Sequence, residues 1–278
     1  MSERPVPPAA EPRLSVILIT KNEAQRIGPC LASIGFADEI VVVDSGSTDG
    51  TVAQCEAAGA RVVQTTDWPG FGRQKQRALD AARGRWVLAI DADEWLDDTL
   101  AAAVREVVTR PIDAHAPAAY ETSRISAFCG QWMRHGGWYP DRGVRLFQRQ
   151  RARFSEDWVH ERLIVDGPVG RLPGLLLHDS IPSLDDAIAK MNRYSSGRAR
   201  DLRAKGRRGG LGSAVGHGVW AFIRTYVLKR GFLDGRLGFV LAVHNAETSY
   251  YRYLKMWLDE AVVPRPLPHP DSARRGQG

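Results

Sequence analysis

Short apolar runs alternate with helical segments along the first hundred residues of the chain. Four apolar, β-branched runs are predicted strands: 14–20, 39–44, 60–65 and 85–90. Three intervening segments and one that follows the fourth run are predicted helices: 23–34, from "STDGT" to Gly59, 72–84 and 98–110. This alternation predicts an α/β fold, a Rossmann-like, mostly parallel sheet with helices on both faces, whose strands are buried on both sides.

The rhythm changes in the second half of the chain. Residues 118–180 are richer in aromatic residues and glycine and read as a mixed half-domain with strands such as "GVRLFQR". Ser183 and Asp186 form a capping-box pattern, and two apolar helices follow, joined by a turn near "GFLDG". We therefore predict four parts: a disordered tail at 1–12, a domain at 13–180, a C-terminal amphipathic helical segment at 183–258 and a loose tail at 263–278.

Charge is distributed unevenly. The net charge is +6, yet residues 193–255 hold 13 Lys or Arg against 3 Asp or Glu, a local excess of +10. Such a bias indicates an anionic partner, either a nucleic acid or a membrane surface. Because the segment matches no known nucleic-acid-binding module, we expect no nucleic acid and favour the membrane.

The cysteines, the N-terminal segment and the lengths of the apolar runs together indicate a reducing cellular compartment. The three cysteines lie far apart without metal-type spacing, the N-terminus has no apolar signal region, and no apolar run reaches the length of a membrane span. We expect a cytoplasmic protein that attaches peripherally to a membrane.

Polar clusters follow three of the predicted strands. They are "TKNE" after the first strand, "DSGSTDGT" after the second and "DADE" after the fourth. Ligands of open α/β sheets bind at the carboxyl ends of the strands, so these clusters predict a site there. Asp44 ends the second strand and is expected to have its carboxylate free to accept hydrogen bonds from a ligand. The alternative for this cluster is a solvated turn between strand and helix.

The acidic stretch "DADEWLDD" separates into two parts. Asp91 and Asp93, two residues apart on an extended segment, are expected to point the same way and to share a divalent cation, Mg²⁺ or Mn²⁺. Glu94 is expected to support them. Asp97 and Asp98 are expected to begin the next helix, whose N-terminus favours negative charge. An exposed acidic turn is the alternative for the first pair.

Three stretches resemble the motifs of family 2 glycosyltransferases with the GT-A fold. They are "SVILITKNEAQRIGPCLASI", "EIVVVDSGSTDGTVAQ" and "WVLAIDADEWL", in that order across residues 14–100. The later stretches "GGWYPDRGVRLFQR", "VHERL", "KRGFLDGRLGF" and "TSYYRYLK" resemble the branch that contains lipopolysaccharide core β-1,4-glucosyltransferases. The resemblance implies an inverting, metal-dependent hexosyltransferase that uses a UDP-sugar, with UDP-glucose as the expected donor and a lipid-linked saccharide as the acceptor.

The resemblance also implies roles for residues at the strand ends. Residues Thr20 to Glu23, including Asn22, would line the nucleotide pocket. Asp44 would bind the uracil ring. Lys75, where many relatives have Arg, would lie near the diphosphate. Asp91 would reach the ribose or metal-bound water and Asp93 would ligate the metal. "DADE" departs from the commoner "DADD", but Glu94 keeps the charge.

Residues beyond position 130 supply the remaining candidates. Glu161 in "WVHERL" is the expected general base, with Asp141 as the rival. His178 is a candidate for the metal or diphosphate site, and Trp138 and Tyr139 for stacking on an acceptor sugar. Each has a structural alternative: an ion pair with a nearby arginine for Glu161, and a place in the core for His178 and the two aromatics.

The apolar C-terminal helices, with aromatic and cationic residues, fit an interfacial helix on anionic lipid. The resemblance implies that this lipid belongs to the inner face of the bacterial inner membrane. Alternatively, these helices only cover the catalytic domain. Three other functions stay open: transfer to another cell-envelope polysaccharide or polyprenyl-linked acceptor, a sugar nucleotidyltransferase and a non-catalytic nucleotide-sensing membrane protein. The nucleotidyltransferase is disfavoured because "TKNEAQRIG" is not a Gly-rich loop.

Overall fold

In the computed structural model, which describes residues 11–112, 116–155 and 162–261, the chain begins with four parallel strands. These strands are β1 Leu14–Thr20, β2 Glu39–Asp44, β3 Arg61–Gln64 and β4 Trp86–Ala89. They lie in the order β3–β2–β1–β4, and every pairing among them is parallel. The predicted alternation is therefore confirmed for this half of the sheet.

Helices cover both faces of these strands. They are α1 Ile27–Ser33, α2 Thr51–Ala57, α3 Phe71–Ala81 and α4 Asp98–Thr109. Alternate residues of β1 serve opposite faces: Val16 and Leu18 belong to a core cluster with α1 and α4, and Ile17 belongs to a second cluster with α3. Burial on both faces explains why these strands are apolar at nearly every position.

Antiparallel strands extend the sheet beyond β4. They are β5 Glu94–Leu96, β6 Ala119–Phe128, β7 Gln131–Trp132, β8 Asp141–Gln148 and β11 Val169–Ile181. The order continues β4–β8–β6–β11–β5, with β7 paired to β6, while β9 Ala152–Phe154 and β10 Leu163–Val165 pair separately. Because β8 runs antiparallel to β4, its first residues lie at the edge where the parallel strands end. Strand β5, directly after the acidic turn, is an element that the sequence pattern did not predict.

The chain divides into two compact units. The first comprises the chain up to Arg134 together with Trp138–Ser180, and the second comprises His135–Gly137 and the chain from Ile181 onward. The predicted tail at 263–278, and all but the last two residues of the predicted tail at 1–12, lie outside the described residues.

Three helices build the second unit: α5 Leu184–Ala204, α6 Leu211–Ile223 and α7 Gly235–Ala261. Ser183 caps α5 by accepting a hydrogen bond from the Asp186 N–H at 3.1 Å, as the capping-box pattern predicts. Helix α6 packs against α7 through Gly218, where an added Cβ would lie 3.3 Å from the Tyr250 Cβ. Among the helices of the described ranges, none combines the length and the apolarity needed to cross a membrane.

Candidate active site

Asp44 connects the loops that follow β1 and β2. Its carboxylate is 1 % exposed and accepts hydrogen bonds from the Thr20 hydroxyl at 2.9 Å, the Gly46 and Ser47 N–H groups at 3.0 and 2.8 Å, and the Ser47 hydroxyl. Four donors fill the lone-pair sites of a carboxylate. In this structure the carboxylate therefore holds the two loops together, and its expected role toward a ligand stays a prediction.

Asn22 also joins the two loops. Its N–H donates to the Ser47 hydroxyl, and its side-chain oxygen accepts from the Thr48 N–H, each at 2.8 Å. Its φ of 56° lies in the left-handed region, which asparagine tolerates better than most residues. Helix α1 begins only at Ile27, so the expected helix over 23–34 is shorter at its start.

Glu23 lies in the same loop, partly buried beside Arg26. Its carboxylate accepts from the Arg26 Nε at 3.0 Å, and its N–H donates to the Thr51 hydroxyl at 2.8 Å. Burial raises the pKa of Glu23; Arg26 opposes this rise and the neighbouring charge of Asp93 adds to it. The structure thus brings Thr20, Asn22 and Glu23, the three predicted residues of this loop, together at the carboxyl edge of the sheet.

The acidic stretch after β4 is a turn. The Glu94 N–H donates to the Asp91 carbonyl, and the Asp91 N–H donates to the Glu94 carboxylate, both at 3.0 Å. The prediction of an extended segment with two parallel carboxylates is therefore wrong. A turn directs Asp91 and Asp93 to different partners.

Asp91 faces two cations. Its carboxylate lies 3.1 Å from the Lys75 ammonium and 3.9 Å from the Arg145 guanidinium. Burial raises the pKa of Asp91, but the charges of Lys75 and Arg145 outweigh that effect and hold the pKa below its ordinary value. The lysine that the resemblance puts near a diphosphate thus lies at this edge, with its charge balanced by Asp91.

Glu94 is fully buried between two arginines. Its Oε1 accepts from Arg124 and from Arg145, each at 2.8 Å. Arg124 also binds the Asp141 Oδ2 through Nε at 2.9 Å and Nη2 at 2.5 Å. Burial lowers the pKa of Arg124, and Glu94 and Asp141 together raise it above its ordinary value. The supporting role expected for Glu94 takes the form of a buried charge network.

Arg124 and Arg145 are the residues that the sequence interpretation missed. Both lie on antiparallel strands of the second half, where the periodicity was too irregular to place them at the edge. A signal existed in "GVRLFQR", because an arginine inside a partly apolar strand needs a buried partner.

Asp93 faces a histidine instead of the Lys75 side of the edge. Its Oδ2 lies 3.4 Å from the His178 Nε2 and 3.6 Å from the Arg26 guanidinium. The His178 Nδ1 lies 3.0 Å from the Ser126 hydroxyl. When the Nδ1–H donates its hydrogen bond to that hydroxyl, the Nε2 lone pair faces Asp93. The structure therefore brings together two of the predicted metal ligands, Asp93 and His178.

The fit of a divalent cation rests on this pair. One carboxylate and one imidazole supply two ligands, and phosphate oxygens and water commonly complete the shell of Mg²⁺ or Mn²⁺. Within the described ranges, no group of three or more His, Cys, Asp or Glu side chains is arranged to hold a metal ion.

Of the remaining candidate residues, the structure describes Trp138, Tyr139 and Asp141 but not Glu161. Trp138 is partly buried and packs edge-to-face on Phe128 with ring centroids 5.9 Å apart; Tyr139 is also partly buried. Asp141 is half-exposed and paired with Arg124. Glu161 lies outside the described residues, so its role stays a prediction.

The four-stranded parallel sheet thus has a cluster of charged and polar residues at its carboxyl edge, where open α/β sheets bind their ligands. The sequence profile of Glycosyl transferase family 2 matches residues 15–157, more than half of the chain, including β2 to β4 and all of β1 except Leu14. The chain belongs to glycosyl transferase family 2, has its GT-A fold and is a glycosyltransferase enzyme.

Similar proteins carry related names. The chain is 30 % identical over 259 residues to the lipopolysaccharide core biosynthesis glycosyltransferase LpsC of Rhizobium meliloti, covering 91 % of this chain and 95 % of that protein. It is 28 % identical over 254 residues to an uncharacterized glycosyltransferase of Rickettsia prowazekii, covering 88 % and 86 %. Among solved structures, mannosyltransferase PcManGT from Pyrobaculum calidifontis, in complex with GDP-Man and Mn²⁺, aligns with a TM-score of 0.46 at 19 % identity, covering 94 % and 78 %.

Proposed function

We propose that this protein is an inverting, divalent-metal-dependent hexosyltransferase that moves glucose from UDP-glucose to a lipid-linked saccharide. The observation that carries the proposal is the pairing of Asp93 with the His178 Nε2 at 3.4 Å beside the Asp91–Lys75 ion pair. An acidic and imidazole ligand pair next to a cationic patch suits a metal-bound diphosphate.

Asp93 and His178 would hold the cation, and Ser126 would orient the His178 ring. A bound Mg²⁺ or Mn²⁺ would stabilise negative charge on the departing diphosphate. Lys75 and Arg145 would add fixed positive charge near the same group, since both lie against Asp91. Asp91 keeps these two side chains in place and would reach the ribose.

The loops after β1 and β2 would hold the nucleoside. The hydrogen bonds of Thr20 and Asn22 to the second loop preorganise that pocket. Asp44 would recognise the uracil ring after exchanging one internal hydrogen bond for a bond to the base.

The chemical step is a displacement at the anomeric carbon. The acceptor hydroxyl oxygen forms the new bond, the bond to the diphosphate oxygen breaks, and the acceptor proton passes to a carboxylate. Glu161 is our candidate base, and Asp141 is the rival. Both Arg124 bonds to Asp141 are accepted by Oδ2, so Oδ1 is the oxygen that would take the proton. Comparing Glu161→Gln with Asp141→Asn at saturating donor identifies the base by the larger loss of kcat.

The proposed acceptor is supported by the similarity to LpsC, a protein named for lipopolysaccharide core biosynthesis. We propose the lipopolysaccharide inner core as acceptor, bound at the cytoplasmic face of the bacterial inner membrane. Trp138 and Tyr139 would contact the acceptor sugar. The excess of cations in residues 193–255 supports attachment to anionic lipid.

The deciding experiment is a donor panel. The protein is incubated with individual nucleotide-sugars and Mg²⁺ or Mn²⁺, and release of nucleoside diphosphate is measured with and without acceptor. UDP release from UDP-glucose, lost on chelation, is the expected result. Release only from another donor overturns the sugar assignment. No release from any donor favours the alternative of a non-catalytic nucleotide-sensing protein.

A further inference from the structure

Helix α6 has an unusual outer side. Its buried residues, Ala214, Gly218 and Ala221, recur at helical spacing and face the rest of the second unit. The remaining surface of an ordinary surface helix should be polar. On α6 five of the exposed side chains are apolar, and we call them together the outer face of α6: Leu211, Val215, Val219, Trp220 and Ile223, each 38 to 55 % exposed.

The exposed apolar surface continues past the end of α6. Leu228, Phe232 and Leu233 are 48 to 59 % exposed. The turn that carries Phe232 and Leu233 is firmly held, because the buried carboxylate of Asp234 accepts from the His135 N–H and contacts the His135 Nδ1, both at 2.8 Å. Apolar side chains on a fixed turn face water permanently, which is costly unless something covers them.

The charged residues around this surface indicate which kind of partner would cover it. Between residues 202 and 246 the chain has eight Lys or Arg and a single carboxylate, the buried Asp234. Six of these cations flank the apolar residues and are exposed: Arg207, Arg208, Arg224, Lys229, Arg230 and Arg236. A second copy of this chain would bring a second set of cations against the first, whereas anionic lipid head groups supply the opposite charge.

The length of α6 indicates how the helix would be oriented at a bilayer. Its 13 residues span roughly 20 Å at about 1.5 Å per residue, less than the roughly 30 Å hydrocarbon thickness of a bilayer. A helix of this kind lies in the plane of the interface, with its apolar face among the acyl chains.

We propose that the outer face of α6 and the turn at Phe232 and Leu233 insert into the interfacial layer of an anionic lipid bilayer. This rests on the proposed function, in which the acceptor is anchored in that membrane, and adds that attachment depends on apolar insertion as well as on charge. The flanking arginines and lysines then bind head-group phosphates while α6 supplies hydrophobic burial.

The test compares two valines of similar exposure in the full-length protein. Val219 lies on the outer face of α6 and is 55 % exposed; Val169, in β11 of the first unit, is 48 % exposed. Partition into vesicles of phosphatidylcholine with phosphatidylglycerol is measured by flotation. Val219→Asp should lower the partition coefficient about tenfold or more, since burying a valine contributes roughly 1.5 kcal/mol. Val169→Asp should leave it unchanged, and melting curves verify that both variants fold.

Salt separates insertion from simple charge attraction. Wild-type binding should persist in part at high salt, whereas the residual binding of Val219→Asp should disappear, because only exposed charges are screened. Equal partition of Val219→Asp and wild type overturns the proposal. So does a dimer that Val219→Asp dissociates without changing lipid partition, since the occupant is then a second copy.

UDP release from UDP-glucose in vesicle-free solution is measured on the same samples. It should be equal in wild type and Val219→Asp. If wild type binds vesicles through Val219 but releases no UDP, the proposed function fails while the insertion stands. If UDP release is normal but wild type and Val219→Asp partition equally into vesicles, the insertion fails while the proposed function stands.

Discussion

The carboxyl edge of the first unit and the outer face of α6 in the second unit differ in whether their charged side chains have oppositely charged neighbours. At the edge, Asp91 is matched by Lys75, and the buried Glu94 is matched by Arg124 and Arg145. Around α6, exposed cations accompany exposed apolar side chains in a stretch with a single, buried carboxylate. The edge is thus organised by its own charges, whereas the α6 surface is the one for which we propose a partner outside the chain, an anionic lipid bilayer.

The largest effect is expected from Asp93→Asn at the edge. Of the two ligands that we propose for the cation, removing the carboxylate that faces the His178 Nε2 leaves only His178. We expect kcat for sugar transfer to fall about 1,000-fold at saturating UDP-glucose, equivalent to about 4 kcal/mol of transition-state stabilisation. The measurement is UDP release over a titration of Mn²⁺.

Asp97→Asn is the matched control, four residues further on. Asp97 caps α4 by accepting from the Leu100 N–H at 2.7 Å, and asparagine caps helices equally well. Its activity and stability should therefore match wild type. An Asp93→Asn enzyme that kept more than about a tenth of wild-type turnover would contradict the metal role.

Glu94→Gln tests the charge network behind the edge. It leaves Arg124 and Arg145 facing a neutral amide in a fully buried position. We expect the free energy of unfolding to fall by about 3 kcal/mol, measured by urea denaturation. Glu106→Gln, which removes an exposed pair with Arg110, should cost less than about 1 kcal/mol. Equal losses in the two variants would mean that the buried network contributes no more than a surface ion pair.

Glu39, at the amino end of β2, predicts a pH dependence. Burial raises its pKa, but hydrogen bonds from Ser15, Arg83 and Arg61 outweigh burial and lower the pKa from 4.5 to about 2. Because the folded form binds its proton less readily than the unfolded form, this contribution to stability is complete above pH 4.5 and is lost as the pH falls toward about 2.

Glu39→Gln should therefore reduce the slope of unfolding free energy against pH in that window. Urea denaturation at several pH values measures the slope. A slope identical to wild type would show that Glu39 contributes nothing to the acid sensitivity.

The smallest effect is expected in the second unit from Ser183→Ala. This change removes the cap that accepts the Asp186 N–H at the start of α5. The free energy of unfolding should fall by about 1 kcal/mol. Ser213→Ala, at an exposed position inside α6, should be neutral or slightly stabilising because alanine is the better helix former. A Ser183→Ala variant as stable as Ser213→Ala would mean that the cap is redundant.

Much of the fold and part of the site could be predicted from local patterns. Strands β1 and β2 have the predicted bounds, because continuous β-branched runs specify buried parallel strands. The start of α4 at Asp98, with Asp97 as its cap, was also confirmed. The directions of Asp91 and Asp93 could not be predicted, since they depend on a turn that the buried carboxylate of Glu94 helps to close.

The sequence by itself determined which carboxylates lie at the carboxyl edge, because a residue that ends a parallel strand must lie there wherever the strand pairs. It also determined the cationic character of the C-terminal helices. Only the tertiary structure decided the partners of each charge: Arg124, Arg145 and His178 reach Glu94 and Asp93 from strands 30 to 85 positions away in the chain. Such pairings depend on strand order and direction in the sheet, which local sequence patterns do not specify.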